Sequence, residues 1–251
     1  MPVGPLRTRR AQGTGDVVAH FDAVAPEYRE AHGPADRLLA YRLGVIRHLL
    51  GGAHGGTLLE IGCGPAAHLL ALAGGFARAI GTDASPAMVA VARERAARSP
   101  NGDRVTINVD PAEALATIES GTVDVALCVG AFEHMVDKAS VLRQVGRVLT
   151  PTGRFVVLTP NGGSAWYRHV APVLGCDTRH LSTDRFVTGA ALEDLLAGAD
   201  LRVAARRYWR FVPNGDLPRG WGPPLRTLDR VGAIARSGYL RGGLGVAAVR
   251  R

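Results

Sequence analysis

The feature that most constrains this chain is a regular alternation between Thr57 and Pro160. Short apolar runs (TLLEIG, FARAIGTD, RVTINVD, VDVALCVG and GRFVVLTP) are separated by AAHLLALA, SPAMVAVARERAARS, PAEALATIE and KASVLRQVGRVLT. The first set reads as buried strands and the second as helices. Parallel neighbours need a crossover between them, so the alternation predicts an α/β domain with helices on both faces of a sheet. Downstream, GAALEDLLAGA reads as another helix, and LRVAARRYWRFV and LGVAAVR as two more strands. Upstream, Leu38, Leu39, Leu43, Ile46, Leu49 and Leu50 share one helical face, and a cluster of glycines from Gly51 to Gly56 ends that helix.

At 251 residues and 47% apolar content, the chain suits a single domain with additions. Residues 1–15 are rich in Pro, Gly and Arg and are expected to be mobile. Residues 16–251 form one expected domain, with a helical lid over 16–50 and insertions at 160–188 and 213–243. No apolar run approaches the roughly 20 residues of a membrane span, and the N-terminus does not support a secretory signal. A cytoplasmic setting is expected. Cys63, Cys128 and Cys176 are too far apart for a metal knuckle, and no metal is expected.

Immediately after the first strand run comes Glu60-Ile61-Gly62-Cys63-Gly64-Pro65-Ala66-Ala67. Gly62, Gly64 and Ala67 satisfy G-x-G-x-x-G/A between a strand and a helix, a weak signal alone. A carboxylate at Glu60 would repel a pyrophosphate but attract an ammonium or sulfonium group. Asp83 ends the next strand run, 19 residues beyond Gly64, where a carboxylate can take both hydroxyls of a ribose. Ser85, before Pro86, is better placed than Asp83 to cap the following helix.

The runs LLEIGCGPAAHLLALA, GTDASPAM, VDVALCVGAFEHM and VLRQVGRVLTPTGRFVVLTPN, in that order, resemble the class I S-adenosylmethionine-dependent methyltransferases. The resemblance covers about residues 17–210 and is closest to the small-molecule branch of quinone and natural-product biosynthesis. Phe21, Asp22, Ala25 and Tyr28 match its F-D-x-x-A-x-x-Y opening. The family usually has a further glycine where this chain has Ala66; alanine fits there at a negative φ. The resemblance implies a Rossmann-like, seven-stranded mixed sheet and S-adenosylmethionine as cofactor. It also implies that Glu60 and the Gly62-Cys63-Gly64 loop hold the methionine end, and that Asp83 holds the ribose. Ala84 and Met88 would pack on adenine, and Asp110-Pro111-Ala112-Glu113 would meet its edge, with either Asp110 or Glu113 reaching the exocyclic amine. Val129 and Gly130 would line the sulfonium side. His68 is expected to pack on a helix face.

In methyl transfer the cofactor carries the reactive carbon, and the protein aligns the acceptor and removes its proton. Glu133 and His134 follow the fourth strand, where such a base is useful, although they can equally serve to bond the cofactor or cap a helix. His20, His169 and His180 lie in the lid segments, where surface or capping roles are the simpler reading. His180, in TRHLS, is the strongest further candidate. Expected chemistry is O-methylation of an aromatic, quinone-like or natural-product hydroxyl. Carbon or nitrogen methylation, and a cofactor-binding protein that does not transfer methyl, stay open. A nicotinamide-dependent dehydrogenase would be expected to lack the Glu60 carboxylate.

The net charge of +8 is unevenly placed. Residues 1–200 carry a net −1 and residues 201–251 a net +9. No nucleic-acid partner is expected, because VGAFEH replaces the N/D/S-P-P-aromatic motif of base methyltransferases and Cys128 lies inside a strand. Within 213–243, Leu225, Leu228, Val231 and Ile234 repeat every three residues among arginines. A solvated surface helix is the preferred reading there; a lid or a shallow contact with an anionic membrane is the sharper one. A monomer or homodimer is expected.

Overall fold

The computed structural model describes residues 8–28, 35–209, 227, 230–235 and 237–251. Seven strands form one sheet: β1 (Thr57–Ile61), β2 (Arg78–Asp83), β3 (Val105–Val109), β4 (Val123–Val129), β5 (Leu149–Pro160), β6 (Leu201–Trp209) and β7 (Gly243–Arg250). Their order is β3-β2-β1-β4-β5-β7-β6. β1 to β5 are parallel, and β7 runs antiparallel to both β5 and β6. The seven-stranded mixed sheet is the one expected. Because strand order reverses between β2-β1 and β4, a crevice opens at the carboxyl ends of β1 and β4.

Period-two alternation sends side chains to two separate cores. Leu59, Ile61, Ala126, Cys128, Phe155 and Val157 pack with α5 (Lys138–Val148) and α7 (Gly189–Ala197). Leu58, Val125, Leu127, Val156 and Leu158 pack on the other face with α2 (Ala35–Leu50), α3 (Ala67–Leu72) and α4 (Pro86–Ala97). Strands buried on both faces explain why their sequences read as continuous apolar runs rather than as alternating ones.

Three local expectations change. PAEALATIE is a series of turns, not a helix. The Asp110 carboxylate accepts the amides of Ala116 and Thr117 at 3.0 and 2.8 Å, and Leu115 takes φ +42°, which stops helix propagation. The lid narrows to α1 (Thr14–Val24) and the turn after it, because α2 commits Val45, Ile46 and Leu49 to the core. Residues 8–12 are tied down, where mobility was expected for all of 1–15. Arg9 bridges Leu181 through Arg9 N–H to His180 O (2.9 Å) and Ser182 N–H to Arg9 O (2.8 Å), and Ala11 is buried.

The 160–188 insertion contains a π-type turn (Trp166–Val170) running into α6 (Ala171–Val173). Much of 213–243, including Leu225 and Leu228, lies outside the described residues; Val231 and Ile234 are exposed. Among the described residues no helix is long and apolar enough to cross a membrane.

Candidate active site

A cleft of ≈ 700 Å³, counted to its open mouth, lies at the carboxyl edge of the parallel strands. Gly62, Gly64, Asp83, Ala84, Met88, Asp110, Ala112, Glu113, Gly130 and His134 are all on its wall. Val17, Val18 and Phe21 of α1 roof it, and Tyr28, Ala131 and Met135 complete the apolar lining. Of the other expected residues, Cys63 and Val129 are core side chains, and Pro111, Glu60, Glu133 and His180 are not part of the wall.

The glycine loop is shaped by close approach. Gly62 has φ +64°, and a Cβ there would lie 2.6 Å from that of Ala131, so only glycine lets β1 and the β4 loop meet. Ala66 has φ +58°, not the expected negative value, because the chain must reverse between Cys63 and α3 within one turn. Asp83 closes the loop from the neighbouring strand. Its carboxylate accepts Gly64 N–H at 2.8 Å and Ser85 N–H at 2.9 Å, while Ser85 Oγ caps α4 through Met88 N–H at 3.0 Å. Burial raises the Asp83 pKa above its usual range despite those two donors.

Glu60 lies beneath the loop. It alternates with Leu59 and Ile61 and therefore faces α3, where Oε2 accepts Leu69 N–H at 2.8 Å. His68, expected only to pack, places Nδ1 3.1 Å from Glu60 Oε1. Two features of the cleft fit a zwitterionic cofactor. Arg42 of α2 is half-buried, its Nε is shielded from solvent and has no hydrogen-bond partner among the described residues, and Nη2 lies 3.8 Å from where a Gly130 Cβ would be. Burial lowers its pKa, opposed by Tyr28, Glu133 and Glu60. At the other end, Glu113 lines the cleft, whereas three donors already occupy the Asp110 carboxylate.

On the α1 side, His134 Nδ1 lies 2.8 Å from Oδ1 of Asp184, which is buried. Asp184 Oδ2 accepts His180 N–H (2.9 Å) and Leu181 N–H (3.0 Å), so the carboxylate is fixed by its own loop. Burial alone would lower the His134 pKa. The Asp184 hydrogen bond and the charges of Glu133 and Asp184 outweigh it, and the imidazole titrates above its ordinary 6.5. Burial likewise pushes Asp184 up, but His134 and the two amides bring its pKa below the usual carboxylate value. Glu133 is turned away from the cleft, and its Oε2 accepts Thr159 Oγ1–H at 3.1 Å. The His180 ring centroid lies 5.7 Å from that of His134, and Phe21 meets His134 edge-on at 5.1 Å.

Sequence reasoning missed Asp184 and Arg42. Asp184 is 50 residues from His134, and half of α2 and all of β1 separate Arg42 from the glycine loop, so only the folded chain brings Asp184 to His134 and Arg42 beside Gly130. The buried Asp184 carboxylate and the shielded, unpartnered Nε of Arg42 are the signals that mark them.

Comparison with known proteins places the domain and the fold. The methyltransferase-domain family matches residues 59–157. The ubiquinone biosynthesis O-methyltransferase of Acinetobacter baumannii (strain AYE) is 29% identical over 219 residues, covering 80% of this chain and 91% of that protein. Its namesake from Sodalis glossinidius is 30% identical over 166 residues, covering 64% of this chain and 66% of that protein. Among solved structures, the [4+2]-cyclase SpnF superposes with a TM-score of 0.70 at 16% identity over 99% of both chains, which compares the folds alone. With the domain match, the strand order and the cleft in agreement, the chain belongs to the class I S-adenosylmethionine-dependent methyltransferases.

Proposed function

We propose that this chain transfers a methyl group from S-adenosylmethionine to a hydroxyl oxygen of a small aromatic, quinone-like or natural-product molecule, with His134 receiving the acceptor's proton. The observation that carries the reading is the His134–Asp184 pair at the cleft. With Nδ1–H donated to a fixed carboxylate, the lone pair of Nε2 is left as the proton acceptor. The similarity to ubiquinone biosynthesis O-methyltransferases supports oxygen as the nucleophile.

The bound cofactor supplies an electrophilic methyl carbon. This chain's residues bind and aim around it. Asp83, Ala84, Met88, Ala112 and Glu113 all line the cleft; Asp83 would offer its carboxylate to the ribose, Ala84, Met88 and Ala112 would pack on adenine, and Glu113 would meet its edge. The loop Gly62-Cys63-Gly64 approaches the methionine end, and Arg42 offers a counter-charge to its carboxylate. Glu60 acts from below, holding α3 and His68 so that the loop keeps its shape. Gly130 leaves room beside the sulfonium. Val17, Val18, Phe21 and Met135 make an apolar seat that excludes water and suits a ring or an isoprenoid-bearing acceptor. His180 supports the pair through its amide and ring edge.

Free thiols at Cys63, Cys128 and Cys176 support a reducing, cytoplasmic setting. We take the protein as a monomer or homodimer acting on a small molecule.

A second reading, that the cofactor is held without methyl transfer, draws on the fold shared with a cyclase. Isotopically labelled methyl donor, offered with a panel of phenols, catechols and quinols and followed by mass spectrometry, separates the two. Label on oxygen is the expected product. Label on carbon or nitrogen, or cofactor binding with no transfer to any acceptor, overturns the O-methylation reading.

A further inference from the structure

Lys138 is the only lysine among 30 basic side chains; the other 29 are arginine. It is buried at the first position of α5, on the turn that follows His134. A cation at a helix N-terminus opposes the macrodipole, and burial adds a desolvation cost. Local bonds offset both. The ammonium donates to Met135 O at 2.7 Å and to Glu133 O at 3.3 Å, and lies 5.4 Å from the centroid of the Phe132 ring. Those contacts wrap the turn Phe132–Met135, whose own amides close on Ala131 O and Phe132 O. From the opposite side, Arg185 N–H also donates to Glu133 O at 3.0 Å, one residue from Asp184.

We propose that Lys138 is a positioning residue that clamps the carbonyls of Glu133 and Met135 and thereby holds the His134 imidazole against Asp184 at the cleft wall. The inference rests on the reading of His134 as the proton acceptor. A compact ammonium fits between two carbonyls two residues apart and over a ring face, whereas a planar guanidinium fork does not. This accounts for lysine at the one place where the chain departs from arginine.

Lys138 has a second effect on the same imidazole. The groups facing His134 are Glu133 on its own turn, Asp184 and His180 from the loop before α7, His20 from α1, and Lys138 from α5. The two carboxylates raise the His134 pKa and the ammonium opposes them. Lys138 is itself lowered by burial and raised by Glu133 and Asp184.

The test compares Lys138→Met and Lys138→Arg in the full chain by three readouts: cofactor calorimetry, the pH profile of methyl transfer, and an NMR titration of labelled histidine with His134 assigned through His134→Gln. Both variants are expected to bind cofactor as the parent does and to lose kcat by about 10- to 100-fold, the scale of a misplaced reacting group. In Lys138→Arg, which keeps the charge but frees the ring from Asp184, the acid limb of kcat/KM and the His134 titration both move to lower pH; in Lys138→Met the lost cation acts in the other direction, and both lie at higher pH than in Lys138→Arg. Parental kcat in the arginine variant overturns the clamp. A His134 titration no higher in the methionine variant than in the arginine variant overturns the electrostatic contact. Parental turnover in His134→Gln, with the His134 titration still lowered in Lys138→Arg, removes the base reading while leaving the hold of Lys138 on His134 in place.

Discussion

Asp22, on the roofing helix α1, accepts hydrogen bonds from Ser85 Oγ and from Ala87 N–H (3.1 Å) at the N-terminus of α4. One carboxylate thus fastens the lid to the helix that follows Asp83, and a negative charge meets the positive end of the α4 dipole. The remaining members of the F-D-x-x-A-x-x-Y motif complete this arrangement. Phe21 and Tyr28 face the cleft, and Ala25 is buried where α1 ends. Asp22→Ala should cost about 1 kcal/mol, as a lost helix cap does. Hydrogen exchange over 14–24 should quicken, with weaker cofactor binding. Unchanged exchange in the lid would show that α1 is held by packing alone.

The cofactor site is tested by two substitutions that act at opposite ends. Asp83→Ala removes a charged acceptor, and binding of S-adenosylhomocysteine should weaken by roughly 10- to 100-fold, in keeping with about 1.5–3 kcal/mol for hydrogen bonds to a charged group. Arg42→Met should weaken S-adenosylhomocysteine similarly and leave methylthioadenosine, which lacks the amino-acid end, unaffected. Calorimetry with both ligands reads the difference. Equal losses for the two ligands in the Arg42 variant would mean that the guanidinium acts on the fold and not on a carboxylate.

The sheet was legible because five strands carry continuous apolar runs, and the reason for those runs is burial against two helix layers. That Asp83 and the glycine loop meet at one cleft was legible because each closes an apolar strand run, and the two strand ends are adjacent in a parallel sheet. The 111–119 turn was not. Its apolar spacing fits a helix, and only the tertiary capture of Ala116 and Thr117 amides by Asp110 overrides that preference. The Glu60–His68 contact and the Asp184–His134 contact were hidden for a different reason. Neither residue type nor spacing marks a partner that lies across a loop or 50 residues away. Ala66 inverted expectation because the neighbouring turn, not the residue, sets its φ.

Ala66 gives a stability prediction of unusual sign. A non-glycine residue in the left-handed region is strained by roughly 1–2 kcal/mol, while replacing it with glycine loosens the unfolded chain by about 0.4–1 kcal/mol. Ala66→Gly should therefore leave stability unchanged or raise it by up to about 1.6 kcal/mol. Urea unfolding of parent and variant without cofactor measures this. A clear loss would show that the buried Ala66 methyl contributes more through packing than its backbone costs.

The His134–Asp184 pair makes both stability and turnover depend on pH. The folded pKa of His134 is raised. Stability from its protonated form is therefore fully present below pH 6.5 and lost as pH rises through the raised value. Asp184 is depressed, so its contribution is present above pH 3.8 and lost as pH falls through the lower folded value. The apoprotein should lose thermal stability on going from mildly acidic to alkaline pH, and Asp184→Asn should flatten that slope. Turnover needs the neutral imidazole, so the acid limb of kcat/KM in the parent should lie above pH 6.5, the ordinary histidine value. In Asp184→Asn the raising partner is gone and burial dominates, which moves the limb to lower pH. At the same time kcat should fall by about 100-fold, because an amide cannot accept from the imidazole and from both loop amides and so leaves the ring misaligned. A variant that kept the parental kcat with an unmoved limb would show that Asp184 holds the 180–184 loop without orienting the base.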